Sequence, residues 1–250
     1  MSGHSKWKTI KRAKNANDQQ RGKVFTRVAR DITIAAREGG GDEGSNAKLK
    51  LALLKARAAK MPRENIERAI KKGTGELEGG NMDEITYEGY GSDGVAFMID
   101  VLTDNKLRSL ADVKRVLNRG GGSLASAGSV SWQFTQKGYI KVPVEGVDFD
   151  EIFMAAADAG ADDVIEEDGE YAIYTPREQL GAVDQALTSA GYKVEEAELF
   201  WKANNETELP VDRAVANMKL HEALEELDDV QSVASNLLVS DAVMAALETA

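Results

Sequence analysis

The first residues able to do chemistry are cations. Lys6, Lys8, Lys11, Arg12 and Lys14 crowd the stretch HSKWKTIKRAK (4–14), with His4 at its head and one aromatic, Trp7, among them. Ammonium and guanidinium groups at this density contact phosphate oxygens, and an indole stacks on a base or lies beneath a cation. A buried anchor is an equal reading for Trp7. His4 suits either a hydrogen bond to phosphate or the cap of a first turn. More cations follow. Within 23–37, Val24, Phe25, Val28, Ile32, Ala35 and Ala36 recur at helical spacing. Lys23, Arg27, Arg30 and Arg37 then fall within about 80° of one another on the opposite face. Ile34 interrupts that face, and Arg63 and Arg68 extend the basic set.

Residues 1–75 hold 19 basic and 7 acidic residues, a net of +12. The remaining 175 residues hold 12 and 35, a net of −23, and the two sum to the chain's −11. Such a split favours docking of one end on a polyanion, with the acidic remainder repelled from it.

Other chemistries find little footing. With no Cys, disulfides, thiolate metal sites and a Cys nucleophile are excluded. His4 and His221 are the only histidines, and no nucleophile–base–acid arrangement surrounds either. His221 reads as a helix-surface or half-buried residue. Gly89-Tyr90-Gly91-Ser92-Asp93-Gly94 matches G-x-G-x-x-G but joins two strands, whereas a dinucleotide fingerprint opens a helix. Glu166-Glu167-Asp168 and Asp228-Asp229 read as an acidic turn and a helix end. In Thr103-Asp104-Asn105, with Arg108 a turn later, Asp104 or Asn105 suits an N-cap, and a functional role stays open. No catalytic, metal or cofactor site is expected, and no small-molecule substrate. No apolar run reaches the roughly 20 residues of a membrane span, and the first residues lack a signal peptide's apolar core. A cytoplasmic protein is expected.

The elements that must position these residues alternate in kind. Helices are expected at 23–37, 46–60 and from Pro62 to the residues before Gly73, then a linker at 73–81. Period-two strands follow at 84–90 and 95–102, a helix at 106–118 with Leu107, Leu110, Val113 and Leu117 on one side, and a strand near 129–134. Residues 138–202 then run strand, helix, strand, strand, helix, strand, the ferredoxin-like order. A helix at 212–227 and a strand at 229–236 are too few to stand alone, so they complete the sheet begun at residue 84. The expectation is a multidomain α+β chain: a basic helical domain (1–78), a central α+β domain (79–136 plus 206–250), and an inserted acidic ferredoxin-like domain (137–205). The stretch 138–205 carries 4 basic and 16 acidic residues, net −12, a poor surface for nucleic acid, suited either to basic proteins or simply to solvent.

Ten short segments, taken together and in order, resemble one family. They include Gly3-His4-Ser5-Lys6-Trp7, Arg21-Gly22-Lys23-Val24-Phe25, Met61-Pro62-Arg63-Glu64, Tyr87-Glu88-Gly89-Tyr90, Leu102-Thr103-Asp104-Asn105, Gly128-Ser129-Val130 and Leu227-Asp228-Asp229-Val230-Gln231. The chain is similar along essentially its whole length to the YebC family of bacteria and organelles. Its mitochondrial branch contains the translational activator of cytochrome oxidase. The resemblance implies three domains and no enzyme site. It also implies a probable DNA-binding transcriptional regulator or, alternatively, a ribosome-bound translation factor that relieves stalling on proline-rich stretches. Its expected partner is therefore nucleic acid, either DNA or ribosomal RNA, contacted through His4, Lys6, Trp7, Lys11, Arg12, Lys14, Lys23, Arg27, Arg30, Arg37, Arg63 and Arg68. The chain departs from the family at 199–209 and after residue 237.

Overall fold

The computed structural model describes residues 18–78, 82–167 and 169–248. His4, Lys6, Trp7, Lys11, Arg12 and Lys14 lie outside the described residues. Within the described part, α-helices and two four-stranded sheets give an α+β chain, and no helix is long and apolar enough to cross a membrane. The chain divides into two compact units. One holds Gly80–Thr135 and Trp201–Ala250 with the chain up to Arg27, and the other holds Val28–Gly79 and Gln136–Phe200.

Helix α1 (Asp18–Gly39), α2 (Ala47–Ala58) and α3 (Arg63–Gly73) form the helical part of the second unit from Val28 onward. Along α1, Ile32 to Ala36 are buried one after another, so Ile34 is core and not a break in a polar face. The reason is packing on two sides. Asn46, the N-cap of α2, accepts from Leu49 N–H at 3.0 Å and donates Nδ2–H to the carbonyls of Ala35 (2.7 Å) and Gly40 (2.8 Å). One amide thus serves both helix ends that meet there. From the other side, Thr33 donates its hydroxyl to Ala69 O of α3 at 3.1 Å. Gly73 lies so close that a Cβ there would come within 2.4 Å of Thr33 O. Leu51 and Leu54 of α2 pack against the sheet's core.

That sheet has the order β5 (Asp163–Glu167), β6 (Glu170–Pro176), β4 (Phe134–Pro143), β7 (Glu196–Ala203). Helices α5 (Phe149–Asp158) and α6 (Leu180–Ser189) complete a strand, helix, strand, strand, helix, strand cycle. Alternation puts Ile140, Val142, Tyr171 and Ile173 into one core with Ile152, Val183 and Leu187. Lys50 of α2 pairs with Asp184 of α6, whose side chain is only 3% exposed.

The other unit is built on a second sheet, ordered β3 (Ser123–Leu124), β1 (Asp83–Tyr90), β2 (Ala96–Thr103), β8 (Val230–Ser235), with every ladder antiparallel. Strand β2 is central and buried everywhere but at Asp100, the one residue that breaks its apolar run from Ala96 to Leu102. Phe97, Ile99 and Val101 face a core shared with α4 (Lys106–Arg119), α7 (Val211–Glu225) and α8 (Asp241–Glu248). Ala96 and Met98 face Val130 and Phe134, with Trp201 packed beside them. The strand expected at 229–236 therefore does join the sheet that begins near residue 84, beside β2.

Two further expectations are corrected. The strand placed near 129–134 is a one-turn 3₁₀ helix, Ser131–Gln133, with β4 starting at Phe134. Glu88 captures the backbone N–H groups of Gly128, Val130 and Ser131, which removes them from any ladder. Leu107 is 79% exposed, because Ser109 takes the inward place in that first turn to reach Thr103 and Asp229. Beyond residue 237, where the chain departs from the family, α8 buries Val243 and Leu247.

Candidate nucleic-acid interface

The cations of α1 and α3 fall into two groups. Lys23 and Arg27 engage protein. Lys23 Nζ donates to Glu226 O at 3.2 Å, and Arg27 donates to Glu225 O. These are carbonyls at the C-terminal end of α7, where orphan acceptors and the negative end of the helix dipole favour a cation. In this structure Lys23 and Arg27 hold a helix end. Arg30 is half-buried, and Arg37 is exposed in the last turn of α1.

Helix α3 presents the other group. Pro62 occupies its N-cap, Glu64 lies in its first turn and Lys71 and Lys72 in its last, each sign matched to the dipole. Ala69 and Gly73 face inward. Arg63, 91% exposed at its side chain, pairs with Glu67 at 2.7 Å, an exposed i,i+4 pair that contributes little and yields readily to a stronger anion. Arg68, Lys71 and Lys72 are all exposed, and no carboxylate among the described residues pairs with them. Their spacing of three and four puts all three on one face. Sequence reasoning named Arg68 and missed Lys71 and Lys72. The signal was present: the inward positions Ala69 and Gly73 leave Lys71 on the opposite side and Lys72 at the flank, beside Arg68.

The motifs that the sequence left ambiguous prove to be scaffolding. Asn105 caps α4 by accepting from Arg108 N–H at 3.1 Å. Arg108 bridges Asp104 and Asp229, each at 2.8 Å. One oxygen of Asp229 also accepts from Thr103 Oγ1 (3.0 Å) and Ser109 Oγ (2.7 Å). The Thr103-Asp104-Asn105 loop and the Asp228-Asp229 pair are thus one network tying β2, α4 and the residues just before β8. The Arg108 guanidinium is raised above its ordinary value by the hydrogen bonds to Asp229 and Asp104. Gly91 to Gly94 make a tight strand connection, with Asn217 and Phe97 against Gly91 where a side chain would sit. His221 is buried, only 4% exposed, with its ring edge-on to Phe97 at 6.1 Å. It is more deeply placed than the helix pattern suggested, because α7 packs across the sheet on that side.

Glu88 is the feature that sequence reasoning did not single out. Only 8% exposed, its carboxylate accepts N–H from Gly128 (2.6 Å), Val130 (2.6 Å) and Ser131 (3.0 Å). Burial works to raise its pKa, but the N–H groups of Val130, Gly128 and Ser131 outweigh burial and hold it below the usual glutamate value. Two of the resembling segments, Tyr87–Tyr90 and Gly128–Val130, therefore meet in space.

Known proteins give the same assignment over the whole chain. Residues 5–76 match the model of the TACO1/YebC N-terminal domain, and residues 82–237 that of the TACO1/YebC second and third domain. A probable transcriptional regulatory protein of Chlorobium phaeobacteroides is 49% identical over 250 residues, all of both chains. One from Acidithiobacillus ferrooxidans is 50% identical over 248 residues, 99% of each. Among solved structures, a conserved hypothetical protein from Aquifex aeolicus superposes with a TM-score of 0.81 at 42% identity, over 90% of this chain and 93% of that one. With both parts of the chain matched in order and relatives at about half identity end to end, this protein belongs to the TACO1/YebC family.

Proposed function

We propose that this chain is a nonenzymatic, nucleic-acid-binding regulator of gene expression, whose basic N-terminal segment contacts phosphates and whose target is DNA. The observation that carries the reading is the exposed turn of Arg68, Lys71 and Lys72, lacking a carboxylate partner among the described residues and set in a segment of net charge +12. Arg37 and Arg63 add to that surface, and the cations of 4–14 would extend it. The relatives' names, probable transcriptional regulatory proteins, favour DNA and transcription. Phosphate contacts position a protein without specifying sequence, so this surface supplies affinity and not base choice.

The domain layout proposed with it keeps the boundaries 1–78, 79–136 plus 206–250, and 137–205. Its support is the sheet β5-β6-β4-β7, whose strands stand in the order second, third, first, fourth of their own cycle, as in ferredoxin-like folds. A translation factor on the ribosome is the second reading. It is favoured by the net −12 of residues 138–205, which suits basic ribosomal proteins while the basic end meets RNA.

The test is binding to duplex DNA and to ribosomes across a salt series, for the native chain and for Arg68→Gln/Lys71→Gln/Lys72→Gln. If these three neutralise three phosphates, the variant's salt slope falls by about 2.7, at about 0.9 per phosphate. An unchanged slope removes α3 from the interface. Ribosome binding that survives at physiological salt while duplex binding collapses overturns the DNA reading in favour of translation.

A further inference from the structure

Tryptophan is enriched among the residues that carry binding energy at interfaces. Trp132 is 72% exposed, yet it is firmly held. Its indole Nε1 donates to Ser129 O at 3.0 Å. The turn beneath it is fastened by Glu88 through three backbone N–H groups. Its own carbonyl accepts from Asn204 Nδ2 at 3.1 Å, and Asn204 Oδ1 accepts from Thr135 Oγ1 at 2.7 Å. Gln133, next in the turn, accepts from Asn236 Nδ2 at 3.0 Å. With its only donor already used, the exposed ring is left to interact through its π system. A ring held in this way loses little freedom on binding.

The chemistry around the ring selects the ligand. In a chain that is otherwise 29% charged, residues 120–136 contain no charged side chain at all. The residues nearest it in sequence, Ser129, Ser131, Gln133 and Thr135, and Asn204, which bonds its carbonyl, carry hydroxyls and amides. Cation–π capture of a basic protein would be served by carboxylates at the rim, and none lies in this stretch. An aromatic plane ringed by neutral hydrogen-bonding groups suits an unpaired nucleobase, which stacks through its face and bonds through its edge.

We infer that Trp132 is a stacking platform for a single-stranded nucleobase. This rests on the nucleic-acid reading above and adds to it a base contact that the phosphate-binding cations do not provide. The experiment measures binding of the full chain to a labelled 12-nucleotide oligouridine, a 12-base-pair DNA duplex and an oligolysine peptide. It compares native protein with Trp132→Ala and Trp132→Phe, after unfolding curves show each variant folded. The expected result is a 5- to 150-fold loss of oligouridine affinity in Trp132→Ala, about the worth of one base–aromatic stack. The salt slope and duplex affinity stay unchanged, and Trp132→Phe recovers most of the loss. Equal affinity of Trp132→Ala and native protein for oligouridine overturns the inference, as does equal loss on duplex and single strand. Loss confined to oligolysine overturns it in favour of a cationic protein partner. A native chain that binds duplex but not oligouridine also overturns it while leaving the proposed function standing. A native chain that binds neither nucleic acid defeats both.

Discussion

Replacing Glu88 by Gln should loosen the turn that carries Trp132. The carboxylate divides its work: Oε1 accepts from Gly128, and Oε2 from Val130 and Ser131. A carboxamide has one oxygen. If that oxygen keeps Val130 and Ser131, the amide NH₂ faces the Gly128 N–H, donor against donor. One bond to a charged acceptor is lost, worth about 1.5–3 kcal/mol, and the other two weaken to neutral bonds of about 1 kcal/mol each. The expected cost is about 2–4 kcal/mol at pH 7. The sign with pH follows from the lowered pKa of Glu88. A carboxyl whose folded pKa is depressed contributes its stability above its unfolded pKa, near about 4.3. That contribution drains away as pH falls through the lower folded value. Glu88→Gln has no such proton to bind, so the gap between native and variant should narrow on acidification from pH 5 to below the folded pKa. Urea unfolding at pH 7 and at pH 3 measures it, with hydrogen exchange at Gly128, Val130 and Ser131 as the local probe. A gap under about 0.5 kcal/mol at pH 7, or one that does not shrink at pH 3, refutes the clamp.

Two further substitutions test the scaffold. Lys50→Ala should destabilise more than Asp184→Ala, by urea denaturation. The first strands a carboxylate only 3% exposed, at about 3–5 kcal/mol, while the second frees an ammonium 29% exposed that can reach water. The reverse order would mean that the pair is not what holds α2 to α6. Gly73→Ala puts a methyl 2.4 Å from Thr33 O and 2.6 Å from Ala36 Cβ. Overpacking of about 1–3 kcal/mol should lower the melting temperature, and a melting temperature equal to the native one would show that α1 and α3 can separate without cost.

Local signals in the sequence determined much of this protein. Apolar spacing, composition, and the Pro and Gly that start and stop elements gave α2, α3, α4 and α7 to within a few residues, and β1, β2, β5 and β6 with them. These segments are read by local rules: the apolar face recurs because one side meets a core. The charge split is likewise a property of composition, visible before any folding. The tertiary structure decided what depends on contacts distant in sequence. Ile34 interrupts a polar face only if α1 has one buried side, and it is core because α2 and α3 enclose the helix. Lys23 and Arg27 read as free cations until α7, some 200 residues away, brings its carbonyls to them. The 129–134 stretch has strand-like residues, but a carboxylate on β1 takes its N–H groups. Trp132 carries no sequence mark of exposure; an isolated tryptophan is read as core, and only the turn locked by Glu88 and Asn204 turns it outward. Local spacing encodes which residues face inward, whereas the partner of each polar atom is set by chain segments that only folding brings together.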